Sequence, residues 1–170
     1  MTFLASQVQA NAGEWKLSLG LGLSNESTTI EGADEALLLV TAPTIEVSGV
    51  LALTDYWQLG LTANWGPTFG QSEGVTQTLN TNLEGRFVLD ALTWVPYLSF
   101  GVGGWARERF TDTASTWRID LSVFGGFGLD YRPQRDWSIG FLARGHVLVT
   151  DPEGTIGPFD AQVLGSFYFD

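Results

Sequence analysis

The chain has 170 residues, of which 44% are hydrophobic, 13% aromatic and only 16% charged. This length suits one domain with a sizeable core, but a soluble domain usually carries about 25% charged residues. The formal net charge of −11 excludes nucleic acid as a partner, because phosphate binding requires patches of Lys and Arg. The absence of Cys excludes disulfides, thiolate metal sites and Cys nucleophiles. We also predict no cofactor and no metal site, because the spacing of the acidic residues in the long loops matches no calcium-binding loop.

The N-terminal segment differs from the rest of the chain. Residues 10–12 read Ala-Asn-Ala, a pattern that precedes cleavage sites in signal peptides, although a basic region and a full apolar region are missing. We interpret residues 1–12 as a leader or residual signal-peptide segment and residues 13–170 as one domain. A disordered leader without a targeting role remains an alternative. The sequence contains no apolar run of about 18 residues, so it predicts no transmembrane helix.

Eight segments alternate apolar and polar residues with a period of two, which is typical of β-strands. In chain order they span about residues 14–23, 37–53, 56–65, 78–89, 94–106, 116–130, 137–148 and 159–169. Short connections at 54–55, 90–93 and 131–136 alternate with long ones at 24–35, 66–77, 107–115 and 149–158. The pattern predicts an all-β fold, an eight-stranded antiparallel up-and-down barrel in which the first strand pairs with the last.

Charge indicates which face of these strands is inside. The charged residues within strand interiors all share the polar face and balance at four positive and four negative: Lys16, Glu46, Glu84, Arg86, Arg118, Asp120, Arg144 and Asp160. A narrow lumen must neutralise its charges, because an unpaired buried ion costs several kcal/mol. We therefore predict that these eight residues form a salt-bridge network in the lumen and that the apolar face contacts lipid. This reverses the arrangement of a soluble barrel.

Within this network we favour one cluster, in which Arg86, Arg118 and Arg144 face Glu46, Glu84 and Asp120. Arg suits such buried pairs because its planar guanidinium binds carboxylates through two hydrogen bonds. An eight-stranded barrel is just wide enough for its side chains to fill it, so we expect a packed plug. An ion path through the same residues is the alternative.

Tryptophans mark the strand ends. Those predicted to form two aromatic girdles are Trp15, Trp57, Trp94 and Trp137 at the short-turn rim, with Trp65 and Trp117 at the long-loop rim. Trp105 lies at the long-loop rim too, but on the lumen face. Two aromatic girdles flanking an aliphatic band are typical of a protein that spans a bilayer. The predicted fold is therefore a transmembrane β-barrel.

With girdles and alternation together, the chain resembles the small eight-stranded outer-membrane proteins that include the OmpA transmembrane domain, OmpX and OmpW. The resemblance implies a bacterial outer membrane, long loops outside the cell and short turns in the periplasm. It also implies contact with lipid and lipopolysaccharide, and recognition by the outer-membrane insertion machinery. The family's insertion signal ends in alternating aromatics. Here "QVLGSFYFD" supplies Gly165, Phe167 and Phe169, with the glycine one place off the common spacing and Asp170 after the last Phe.

Two further readings remain. Gly13-Glu14-Trp15 and Thr54-Asp55-Tyr56 resemble the G-x-W and T-D-Y motifs of lipocalins, which are soluble ligand carriers, but their spacing differs. His146, the only histidine, leaves open a lipid A-modifying enzyme, although no recognisable triad order surrounds it. We expect instead a lumen-facing His bonded to a carboxylate.

The sequence thus predicts an integral outer-membrane barrel that is not an enzyme. Its expected role is structural, or interactive through long loops that contact a protein partner. A small ion or solute channel, a lipid A-modifying enzyme and a lipocalin-like carrier are the alternatives.

Overall fold

Eight β-strands make up the fold. The computed structural model describes residues 12–29, 37–69, 75–89, 93–111, 114–150 and 156–170. The strands are β1 (Trp15–Thr29), β2 (Leu37–Ala52), β3 (Trp57–Phe69), β4 (Val75–Val88), β5 (Trp94–Thr111), β6 (Ala114–Gln134), β7 (Trp137–Leu148) and β8 (Ile156–Phe169). The expected leader at residues 1–12 lies outside the described part, apart from Ala12.

Each strand pairs antiparallel with the next, and β1 also pairs with β8, so the sheet closes into a barrel. The closing ladder runs from Trp15 opposite Phe169 to Asn25 opposite Phe159. Closure leaves no exposed strand edge, as backbone groups in a bilayer require. The predicted fold class, an eight-stranded antiparallel up-and-down barrel, is confirmed.

The two faces of the sheet are sorted by polarity in the order that the sequence predicts. Most aliphatic and aromatic side chains point outward, and Leu19 and Leu61 on that face are 61% and 67% exposed. Polar and charged side chains point into the bore, where Arg86 and Arg144 are at most 1% exposed. Successive side chains of a strand alternate between faces, so the face of one residue determines the face of every other residue in that strand.

Several strands are longer than predicted at the long-loop rim. β1 continues to Thr29, β3 to Phe69 and β5 to Thr111, through residues that the sequence assigns to loops. Beyond the apolar band both faces of a strand meet water. Polar residues therefore occupy both faces there and the alternation ends, while the backbone hydrogen bonds between strands continue. β6 likewise runs to Gln134 at the short-turn rim, past an irregularity in register between Tyr131 and Gln134.

The described residues contain no helix long and apolar enough to cross a membrane.

Candidate functional site

Glycines on the inward face make room for large side chains in the bore. The ring of Tyr97 on β5 lies over Gly128 of β6, where a Cβ atom would collide with it. The ring of Phe124 covers Gly101, with its atoms 2.7 Å from the position of a Cβ. The stem of Arg144 covers Gly126 at 2.8 Å. Long side chains therefore extend into the bore over glycines of the adjacent strands and fill it.

Arg144 is the centre of a buried ion cluster at mid-height. Its guanidinium bonds Glu46 across the bore and Asp160 on the adjacent strand at 3.1 Å, and its Nη1 atom lies 3.8 Å from Glu84, within the range of an ion pair. All four side chains have 0% exposure. One cation thus ties together carboxylates from β2, β4 and β8.

Arg86 adds a second cation to this cluster. Its Nε and Nη2 atoms donate to Glu84 at 2.7 and 3.2 Å, and Ser99 Oγ donates to the same carboxylate at 2.8 Å. The guanidinium also lies 5.0 Å from the centre of the Tyr97 ring, within the range of a cation–π contact. Glu84 therefore forms ion pairs with both arginines of the cluster, and three carboxylates face two guanidiniums.

His146 borders the cluster at its long-loop side. Its Nε2 atom lies 2.8 Å from Asp160, and its ring lies 5.1 Å from the ring of Trp105 and 5.3 Å from that of Phe124. Ser122 Oγ and His146 Nδ1 both lack a hydrogen-bond partner within the described residues. The Ser–His hydrogen bond of a catalytic triad is therefore not formed here.

An apolar layer fills the bore beside the ion cluster, towards the short turns. Val88, Tyr97, Leu142 and Leu164 form a buried cluster against which Val95 packs. Leu142 and Leu164 have no exposed surface. The two-residue alternation did not predict this layer, because most residues of the inward parity are Gly or polar. Hydrocarbon side chains as well as ion pairs therefore occupy the bore.

Two more ion pairs lie at the short-turn rim. Arg132 binds both carboxylate oxygens of Glu14, at 2.7 and 3.2 Å, and its guanidinium stacks on Tyr168 at 3.6 Å from the ring centre. Lys16 pairs with Asp130. Glu14, Asp130 and Arg132 were missing from the predicted network, although each has the inward parity of its strand. The prediction considered only strand interiors and placed residue 132 in a turn.

At the long-loop rim, Asp120 accepts hydrogen bonds from two arginines. Arg107 Nη2 approaches it at 2.5 Å, and Arg118 Nε lies 3.2 Å from the same carboxylate. Arg118 keeps half of its side chain exposed, whereas Asp120 is buried. These three residues form an ion cluster of their own at the long-loop rim.

The eight predicted network residues thus occupy three levels of the barrel. The middle level brings together Glu46, Glu84, Arg86, Arg144 and Asp160. Lys16 lies at the short-turn rim, and Arg118 and Asp120 lie at the long-loop rim. The favoured cluster was therefore wrong in placing Arg118 and Asp120 with the central residues, where Asp160 stands instead. Strand tilt sets which residues share a level, and alternation along one strand does not reveal it.

The predicted girdle tryptophans lie on the outward face at the strand ends. Trp15, Trp57, Trp65, Trp94 and Trp117 are all exposed, and Trp137 is half-buried. Trp57 contacts Phe87 at 5.0 Å and Phe100 at 6.1 Å between ring centres. Trp105 points into the bore and is buried. In the part of the chain that the structure describes, no three His, Asp or Glu residues are grouped to hold a metal ion.

Comparison with solved structures shows the same fold. The N-terminal β-barrel domain of Pseudomonas aeruginosa OprF superposes with a TM-score of 0.67 at 14% identity, covering 94% of this chain and all of that one. OprG of the same organism gives 0.70 at 13% identity, with 95% and 98% coverage. The outer membrane enzyme PagL gives 0.54 at 14% identity, with 89% and 97% coverage. At such identities the likeness establishes the fold alone.

Sequence comparison gives the family. No curated protein matches the chain. Residues 1–162 match the family described as the outer membrane protein beta-barrel domain. The apolar outer surface and the closed eight-stranded sheet agree with that match, and OprG, among the similar solved structures, is an outer membrane protein. The chain belongs to the outer membrane protein beta-barrel domain family, and it is an integral protein of the bacterial outer membrane.

Proposed function

We propose that this protein is a non-conducting structural barrel, which anchors its long loops at the cell surface. The observation that carries the proposal is the double closure of the bore. The ion cluster around Arg144 spans the bore from β2 to β7, and the apolar cluster of Val88, Tyr97, Leu142 and Leu164 closes it beside that level. An ion crossing the barrel would have to break buried pairs and then enter hydrocarbon, which is costly at each step.

Conductance in a planar bilayer tests the proposal. Protein purified in detergent and inserted into the bilayer should give no stepwise current at neutral pH. The matched variants are Leu142→Ala with Leu164→Ala, which thin the apolar layer, and Val147→Ala with Val163→Ala on the outward face. Steady unitary currents from the unmodified protein, altered by the inward pair and unchanged by the outward pair, would establish a channel instead.

The same geometry argues against an enzyme. His146 is buried within the bore, and its Nδ1 atom bonds no hydroxyl in the described residues. A lipid substrate lies on the outer surface of the barrel, on the opposite side of the strand. PagL shares the fold and is an enzyme, so the fold by itself does not decide the question. We therefore propose a non-enzymatic role on the placement of His146.

A soluble carrier does not fit the outward face, because an aqueous surface of Leu, Ile, Val and Phe on all eight strands would aggregate. We propose that the long loops face the cell exterior, where they meet lipopolysaccharide and any protein partner. The loop tips, at residues 30–36, 70–74, 112–113 and 151–155, lie outside the described residues. Protease or antibody access to an epitope tag inserted at residues 71–72 of intact cells tests this orientation.

We further propose that the last strand is recognised by the outer-membrane insertion machinery. Phe167 and Phe169 project outward from β8 and are 63% and 50% exposed, and Gly165 precedes them on the same face. Asp170 is bonded by Arg135 at 2.6 and 2.7 Å in the folded barrel. Phe169→Ala should slow assembly in cells without changing the stability of the folded barrel. Equal assembly rates for Phe169→Ala and wild type would contradict this role.

A further inference from the structure

Strand β6 extends beyond its neighbour β7 at the long-loop rim. The ladder between them begins at Ser122 opposite Leu148, whereas β6 itself begins at Ala114. On its other side β6 pairs with β5 as far as Thr111 opposite Ala114. Within the part of the chain that the structure describes, residues 115–119 therefore have a neighbouring strand on one side only. The side that faces away from β5 is called the β6 edge.

Backbone groups of alternate residues point towards the β6 edge. The N–H of Leu121 donates to Thr150 Oγ1 at 2.9 Å, and its C=O accepts from the N–H of Val149 at 2.7 Å, both on the β7 side. Backbone groups of an antiparallel strand point alternately to its two sides. The same groups of every second residue towards the long loops therefore point to the β6 edge, where no described strand pairs with them: Ser115, Trp117 and Ile119.

The β6 edge lies at the outer boundary of the apolar band. Trp117 belongs to the predicted aromatic girdle, and Ile119, the next outward residue towards the membrane, is 73% exposed. Backbone groups at that depth have little water to bond, so leaving them without a partner is costly. An open strand edge is also a template for pairing with another chain. Both properties favour the addition of a further strand beside β6.

The side chains beside the β6 edge indicate what this strand contains. Trp117 and Ile119 place apolar surface on the outward face. On the inward face the guanidiniums of Arg107 and Arg118 share the single carboxylate of Asp120, which leaves one positive charge in excess. Directly opposite residues of paired strands share a face. The added strand therefore requires apolar residues on its outward face and acidic residues on its inward face.

We propose that the β6 edge binds an extended segment of a partner protein, in which apolar residues alternate with Asp or Glu. The segment runs antiparallel to β6 and pairs with the backbone of Ser115, Trp117 and Ile119. Its apolar side chains pack beside those of Trp117 and Ile119, and its acidic side chains balance the excess charge on the inward face. The inference rests on the proposed orientation of the long loops and names the class of partner that they meet, but it does not rest on closure of the bore.

Hydrogen exchange of backbone amides, measured by NMR on the full chain in detergent micelles, first tests whether the edge is open. The amides of Ser115 and Trp117 point to the edge and should exchange quickly in the protein alone. The amides of Thr116 and Arg118 point to β5 and should be protected by that ladder. Protection of all four amides would show that the edge is already paired within the chain and would overturn the proposal.

Binding is then tested with a synthetic peptide of alternating valine and glutamate. The peptide should protect the amides of Ser115 and Trp117 and should bind more tightly than a peptide of alternating valine and lysine. In an antiparallel pair, residues that share a face also exchange their backbone hydrogen bonds, so the valine amides point to β6 and the glutamate amides point away. Methylation of the valine nitrogens should therefore abolish binding, whereas methylation of the glutamate nitrogens should preserve it.

Ile119→Pro and Ile119→Val are the matched variants. Proline at residue 119 removes a donor that points to the edge, and it leaves the hydrogen bonds between β5 and β6 in place, as proline does on edge strands. Ile119→Pro should weaken peptide binding about tenfold or more, while Ile119→Val should bind the peptide as wild type does. Heat-modifiable gel mobility confirms that each variant is folded.

Two further results would overturn the proposal. One is equal affinity for the two methylated peptides, which would mean that side chains alone hold the peptide. The other is equal binding of the unmodified peptide by Ile119→Pro and Ile119→Val. Neither result changes the conductance of the bore or the access to loops on intact cells, so the proposed function stands or falls separately.

Discussion

Arg144 on β7 and Glu46 on β2 form an ion pair across the bore, between strands that lie three steps apart round the barrel. The pair links walls that share no backbone ladder. Because Arg144 also bonds Asp160, on the strand next to its own, one side chain joins local and distant parts of the barrel. The central cluster should therefore contribute to stability as a unit.

Removal of Arg144 tests this coupling. Arg144→Met leaves the buried carboxylates of Glu46 and Asp160 without their main cation, which should destabilise the fold by about 3–5 kcal/mol. The measurement is urea unfolding in lipid vesicles. The control is Arg135→Met, which breaks the exposed pair with Asp170 and should cost less than about 1 kcal/mol. Similar losses in the two variants would show that the central cluster is not coupled.

Neutralising both partners of the Arg144–Glu46 pair gives a second test of the coupling. Arg144→Met combined with Glu46→Gln removes a charge of each sign and should recover part of the stability lost in Arg144→Met alone, since a neutral pair leaves no uncompensated ion at that position. If the double variant is less stable than the single variant by the full effect of Glu46→Gln, the two residues act independently.

Gly128 should be essential for the packing of Tyr97. A Cβ at residue 128 would meet the Tyr97 ring, which is buried and cannot move into open space. Gly128→Ala should therefore destabilise the barrel by about 1–3 kcal/mol, as overpacked cores do. Gly125→Ala, on the outward face with no neighbour within 4 Å, should change stability by less than about 0.5 kcal/mol. The expectation fails if thermal unfolding gives the two variants equal midpoints.

Arg132 should hold the barrel closed at the short-turn rim. It joins Glu14, beside the start of β1, to Tyr168 near the end of β8. Arg132→Ala should lower the free energy of local opening of the β1–β8 ladder near Trp15 by about 1.5–3 kcal/mol. Hydrogen exchange of the backbone amides in that ladder should therefore be faster. Exchange of the β3–β4 ladder should not change. Uniform acceleration of both ladders would indicate global destabilisation instead of local opening.

His146 should have no catalytic effect on lipid. Cells that express the protein should contain lipid A of the same mass as cells that carry an empty vector, with wild type and with His146→Ala. The reason is that His146 lies within the bore and bonds Asp160. Mass spectrometry of extracted lipid A provides the measurement. A mass change that requires His146 would show that the protein is an enzyme.

Strand number, strand order and the outward face all followed from the two-residue alternation. Leu17, Leu19 and Leu21 on β1 are exposed as that pattern predicts, while Lys16 and Ser18 point inward. The alternation of apolar and polar residues is required only where one face of the strand contacts hydrocarbon. It therefore failed beyond Leu23, where polar residues continue β1 to Thr29 and both faces lie outside the apolar band.

The composition of the bore was harder to predict than its polarity. Arg86 and Arg144 were expected in the lumen, but their partners depend on strand tilt and on which residues share a level. Leu142 and Leu164 have inward parity and could have been recognised as apolar exceptions on a polar face. Arg132 was missed because the Pro-containing segment after Tyr131 reads as a turn, whereas the strand continues through it to Gln134.

The central claim is that the aliphatic face contacts lipid. The chain contains no Cys, so a single introduced Cys at Leu61, Ile139 or Asp136 carries a spin label without background. Electron paramagnetic resonance in lipid vesicles then compares collisions with oxygen, which concentrates in the bilayer, and with a water-soluble nickel complex. The account predicts that labels at Leu61 and Ile139 meet oxygen more often than nickel, and that a label at the turn residue Asp136 shows the reverse. Labels at Leu61 and Ile139 that neither reagent reaches would place these residues in a dry interior and would contradict it.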